Sequence, residues 1–110
     1  THHGLANALC LPACVQHTFD KSKKNQTLNK KLDLIAKIFS STATAKDLPK
    51  LILEFIESLG IKMGLQHHNI SNSEIEKLSK LALIDSCHHT HPYKVTKPDF
   101  IHCFKESFVK

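Results

Sequence analysis

Nine histidines and four cysteines in 110 residues are the side chains here that could hold a metal ion or act as nucleophiles. Cys87-His88-His89-Thr90-His91 places four of them in five positions, His67 and His68 are adjacent, and Cys10 and Cys14 stand one helical turn apart. A structural zinc site gathers four donors into a tetrahedron, and spacers between ligands let the backbone turn around the ion. Cys-His-His-x-His fits no such pattern, because adjacent residues cannot all aim at one centre. It supports at most the expectation of a stand-alone helical zinc-binding or partner-binding module. Cys10 and Cys14 read as two buried thiols sharing a helix face rather than as a metal pair. His67, His68, His88 and His89 read as polar loop residues. An even cysteine count could mean two disulfides in a secreted chain. However, Thr1-His2-His3-Gly4 shows neither the basic start nor the apolar stretch of a secretory signal.

Composition narrows the classes further. With 41% hydrophobic residues, a chain of this length can form one compact domain burying about two thirds of its surface. No run approaches the roughly 18 apolar residues of a membrane span, so a soluble, cytoplasmic chain without a membrane role is expected. The 15 basic residues are all lysine, and Lys21, Lys23, Lys24, Lys30 and Lys31 fall in one stretch without an acid. Elsewhere ten lysines balance ten acids, so the formal charge of +5 is one local patch, read as a solvated lysine-rich loop. Without arginine the chain lacks the bidentate fork that grips phosphate and guanine, which argues against nucleic acid as a partner.

The elements that must position these side chains are helical. Leu28, Leu32, Ile35 and Phe39 recur at i, i+4, i+7 and i+11, with Lys30, Lys31, Asp33 and Lys37 on the other side. Leu48, Leu51, Ile52, Phe55, Ile56 and Leu59 form a second stripe, and Gly60 is its C-terminal stop. Ser71-Asn72-Ser73-Glu74 is a capping box ahead of a helix carrying Ile75, Leu78 and Ala82. Another helix starts at Thr96, has Pro98 and Asp99 in its first turn, and presents Ile101, Phe104 and Phe108. Residues 4–19 also read as helix, bent at Pro12. Loops are expected near 20–27, 40–45, 60–70 and 86–95. With no sustained period-two alternation, the chain is expected to be all-α, a bundle of five to six helices.

Two segments carry a resemblance. His3-Gly4-Leu5-Ala6-Asn7-Ala8-Leu9-Cys10-Leu11-Pro12 resembles the H-G-x-A-N-A-x-x-x-P of iron-containing alcohol dehydrogenases. Residues 85–99, from Asp85-Ser86-Cys87 through His91-Pro92-Tyr93 to Thr96 and Asp99, are similar to the family's D-x-C-x-x-x-N-P-R-x-x-T-x-x-D. Leu59-Gly60-Ile61 and the segment from Ile75 to Ile84 follow the family's order between them.

The resemblance implies that residues 1–110 are the C-terminal portion of a dehydroquinate-synthase-like helical, metal-binding domain. The family's N-terminal dinucleotide-binding domain, with its G-G-G-S phosphate loop, is not within this chain. His3 corresponds to the last of four metal ligands, and the other three, an Asp and two His, come from helices upstream. The implied cofactors are Fe2+ or Zn2+, with NAD or NADP bound by the other domain. Such a metal stabilises the deprotonated alcohol, from which hydride passes to the nicotinamide. The implied partners are the dinucleotide-binding domain and upstream helices of the same protein, an alcohol or aldehyde substrate, and further copies in a homo-oligomer. Cys87 matches the family cysteine flanking the substrate cleft, and His2, standing where the family usually has Pro, is expected to be a cleft neighbour. His91 and Tyr93 replace the family's Asn and Arg. No catalytic or cofactor-binding residue is expected within this chain, and alone it should be inactive.

Overall fold

Helix starts fall where the capping signals stand in the computed structural model, which describes residues 3–108. Five α-helices follow in order: α1 His3–Ser22, α2 Gln26–Phe39, α3 Leu48–Ser58, α4 Ile75–Ile84 and α5 Lys97–Glu106. No strand occurs among the described residues, as expected of an all-α chain.

Each start has a local cause. The Leu28 amide donates to Asn25 Oδ1 at 3.1 Å, closing an otherwise free donor at the head of α2. Ahead of α4, the Ser71 amide donates to Glu74 Oε2 at 2.8 Å, the capping box read from the sequence. It opens a 3-10 turn, Asn72–Glu74, that leads into the helix. At α5 the Thr96 amide and hydroxyl donate to Asp99 Oδ2 at 2.7 and 2.9 Å. Pro49 and Pro98 lie in first turns, where a missing amide hydrogen costs nothing. Gly60, at φ +83°, ends α3 in the left-handed conformation that glycine adopts without strain. α1 runs as one helix through Pro12.

α1 is the central element and packs on α2, α3 and α5, while α4 packs on α5. The core comprises Leu32 and Ala36 of α2, Ala43 and Ala45 of the connection, and Leu48, Ile52 and Ile56 of α3. Ala8, Val15 and Phe19 of α1 close over it. Burying a side chain such as Leu48 completely contributes about 1.5–3 kcal/mol.

Several sequence expectations need correction. The buried stripe of α2 is Leu28, Leu32 and Ala36, and that of α3 is Leu48, Ile52 and Ile56. Ile35, Phe39, Phe55 and Leu59, read as part of those stripes, are exposed. Both helices are apolar over more than one face, and α1 covers only the i, i+4, i+8 line. In α5 the buried residue is Asp99, while Ile101 and Phe104 are half-buried; Phe108, expected on the same helix, is half-buried beyond its end. The lysine patch is mostly helical: Lys21 lies in the last turn of α1, Lys30 and Lys31 lie in α2, and only Lys23 and Lys24 fall between. The expected loops at 40–45, 60–70 and 86–95 lead into or contain the 3-10 turns Ala45–Asp47, Leu65–His68 and Ser86–Thr90.

Candidate functional site

α1 and α5 run antiparallel and meet in register. The Cys10 thiol neighbours Ser107, Cys14 neighbours Cys103, and His17 is hydrogen-bonded to Asp99. Cys10, Cys14 and His17 are successive turns of one helix, as are Asp99, Cys103 and Ser107 of the other, so three rungs stack along one seam. His17 Nε2 donates to Asp99 Oδ1 at 2.7 Å across 82 positions of sequence, and Lys21 Nζ stands 3.7 Å from the same oxygen. A carboxylate only accepts, so this bond fixes the His17 proton on Nε2. Burial pushes the Asp99 carboxyl up, but the Thr96 amide, His17, the Thr96 hydroxyl and Lys21 outweigh it and hold it at about 2.

Beside the seam lies a mostly apolar cavity of about 230 Å³. Cys14, His17 and Thr18 line it from α1, His88, His91, Tyr93 and Val95 from the segment before α5, and Asp99, Phe100 and Cys103 from α5. His88 Nε2 donates to the Leu83 carbonyl at 2.9 Å and its ring meets Phe100 edge-on at 5.4 Å. The His91 and Tyr93 rings contact edge-on at 4.4 Å, and Lys21 Nζ lies 5.9 Å from the Tyr93 ring centre. Tyr93 stands where the family pattern has arginine, yet a cation reaches this place from α1. Burial raises the Tyr93 hydroxyl and lowers the His91 imidazolium, so both favour their neutral forms.

The sequence candidates are placed as follows. His2 lies outside the described residues, and His3 begins α1. Cys87 is exposed, and its amide donates to Asp85 Oδ1 at 2.9 Å. The Asp85 carboxylate raises the Cys87 thiol. Cys87 does not line the cavity, whereas its neighbour His88 does. Among the described residues no three His, Cys, Asp or Glu side chains are grouped to hold a metal. The donors from Cys87 to His91 point instead to a backbone carbonyl, to aromatic rings and to Asp85. Cys10 is half-buried and Cys14 exposed, not the two buried thiols expected. His68, read as a loop residue, closes its 3-10 turn by donating from Nε2 to the Lys62 carbonyl at 2.7 Å.

Sequence reading missed His17. Its i, i+4 relation to Lys21 was visible, but nothing in the sequence pointed to a carboxylate more than eighty residues away.

An all-α domain that begins with His-Gly-Leu-Ala-Asn-Ala at the head of its central helix narrows the class of protein. The chain belongs to the Fe-containing alcohol dehydrogenase family, whose C-terminal family model matches residues 1–108. It is 22% identical, over 111 aligned positions, to a 4-hydroxybutyrate dehydrogenase of Cupriavidus necator. That alignment covers 96% of this chain and 27% of the relative, so the chain spans about a quarter of the relative's length. No solved structure matches the chain. The family and the relative's name support a domain of the Fe-containing dehydrogenase type.

Proposed function

We propose that residues 1–110 are the C-terminal helical part of a metal- and NAD(P)-dependent alcohol dehydrogenase, passing hydride between an alcohol or aldehyde and nicotinamide. The observation that carries this reading is the family match across residues 1–108. The relative's name adds a small hydroxy compound as the class of substrate. The described residues alone do not build a metal site. In this reading His3 is one of four ligands to Fe2+ or Zn2+, and the others come from a part of the protein outside this chain. When bound, the metal supplies Lewis acidity at the substrate oxygen. This chain contributes rigidity: α1, which starts at His3, is anchored by Leu9, only 1% exposed, and by its packing on three helices. His2 and Cys87 flank the substrate cleft, and the dinucleotide is held by an N-terminal domain. The whole protein works in the cytoplasm as a homo-oligomer.

The test is His3→Ala in the full-length protein. Metal content and turnover should fall together while helical circular dichroism is unchanged. The loss in turnover should reach at least the roughly 10–100-fold typical of outer-shell partners. Wild-type metal stoichiometry and wild-type turnover in the variant would show that His3 is not a ligand.

A further inference from the structure

The middle rung of the α1–α5 seam pairs two thiols. We propose that Cys14 and Cys103 form a redox modification site, in which a hydroperoxide oxidises Cys14 and Cys103 resolves it to a disulfide joining α1 to α5. This goes beyond the dehydrogenase reading and does not depend on it.

Geometry comes first. The two thiols neighbour each other across the α1–α5 seam, both line the same cavity, and Cys14 is open to solvent. The rungs on either side, Cys10 with Ser107 and His17 with Asp99, hold the helices in the register that keeps the thiols together. Forming the bond requires the sulfurs to close from that contact to about 2.05 Å.

Chemistry selects the attacking sulfur. A thiolate is the nucleophile, and of the two thiols Cys14 is the one exposed to a peroxide while Cys103 is half-buried behind it; the neighbouring Cys103 also lowers the Cys14 thiol. Cys10 is raised by burial. Cys87 is exposed too, but the Asp85 carboxylate disfavours its thiolate. One exposed cysteine is therefore activated with a second thiol beside it, and the other is deactivated.

In the first step the Cys14 sulfur attacks one peroxide oxygen and the O–O bond breaks. Cys14 becomes a sulfenic acid, and the other oxygen leaves as water, carrying the proton Cys14 gave up. In the second step the Cys103 sulfur attacks the Cys14 sulfur and the S–O bond breaks. The hydroxyl leaves as water with the Cys103 proton. Two thiols are oxidised by two electrons, and hydrogen peroxide is reduced to two molecules of water.

The experiment treats the full-length protein with limiting hydrogen peroxide, alkylates the remaining thiols and maps the peptides by mass spectrometry. The expected product joins the Cys14 and Cys103 peptides with the loss of two hydrogens, forms roughly tenfold faster than any change at Cys87, and reverts with dithiothreitol. With Cys103→Ser, Cys14 should accumulate as a sulfenic acid trapped by dimedone, and with Cys14→Ser, Cys103 should stay reduced. The wild-type map stands even if a variant fails to fold. Oxidation of Cys87 as fast as Cys14, a Cys10–Cys14 linkage, or no linkage at all overturns the proposal.

Discussion

The α1–α5 seam and the outer faces of α2 and α3 are built from the same helical periodicity but end differently. Along the seam every functional side chain meets a partner on the opposite helix: thiol to hydroxyl, thiol to thiol, imidazole to carboxylate. On the outer faces, Leu34 is 68% exposed, Ile38 82%, Phe55 54% and Leu59 62%. Phe39 and Phe55 meet edge-on at 6.2 Å, so one apolar surface bridges both helices. Buried polar groups must be satisfied where they lie, because leaving one unpaired costs more than the pair returns. An apolar face can instead be left for a surface outside the chain to cover. The seam is closed by this chain, and the outer face is not.

Breaking the seam should have the largest effect. Asp99→Ala removes the α5 capping carboxylate and the partner of His17 in one change, leaving a mostly buried imidazole facing an empty position. A loss of about 3 kcal/mol is expected, read from the urea midpoint at unchanged slope. A loss under about 0.5 kcal/mol, the range of ordinary surface changes, would show that the rung carries no stability.

Acid should break the same rung reversibly. The Asp99 carboxyl sits at about 2 in the folded chain against an ordinary 3.8, so the unfolded chain binds its proton more readily. Its contribution is therefore present above pH 3.8 and is lost as pH falls toward about 2, amounting to about 2 kcal/mol. Other carboxylates titrate nearby, so the measurement is the difference between wild type and Asp99→Asn. That gap should narrow through this window, and a constant gap from pH 5 to pH 2 would contradict the ion-pair assignment.

The outer face should respond in the opposite sense. The isolated chain is expected to pair with a second copy through this surface, since apolar patches of more than a few hundred Å² rarely stay bare in monomers. Ile38→Lys with Phe55→Lys should abolish that pairing in sedimentation while changing stability by no more than about 0.5 kcal/mol. A wild-type chain that stays monomeric at high concentration would mean that the face is tolerated uncovered.

What the sequence determined by itself is what neighbours along the chain can decide. The caps at Ser71 and Thr96, the stop at Gly60 and the all-α class depend on residues within a turn or two of each other, and they read correctly; the Asn25 cap is equally local but lay inside a stretch read as loop. The family was legible in the same way, from contiguous residues at each end of the chain. Tertiary structure alone decided which apolar line each helix buries, because α2 and α3 are apolar over wider arcs than one neighbour can cover, so Ile35 and Phe55 could not be told from Leu32 and Ile52. It also decided the seam. A helical repeat places Cys10, Cys14 and His17 on one face of α1, but only the antiparallel packing of a helix some eighty residues away sets Ser107, Cys103 and Asp99 opposite them. That packing is a choice among all the apolar faces at once, and no local spacing contains it.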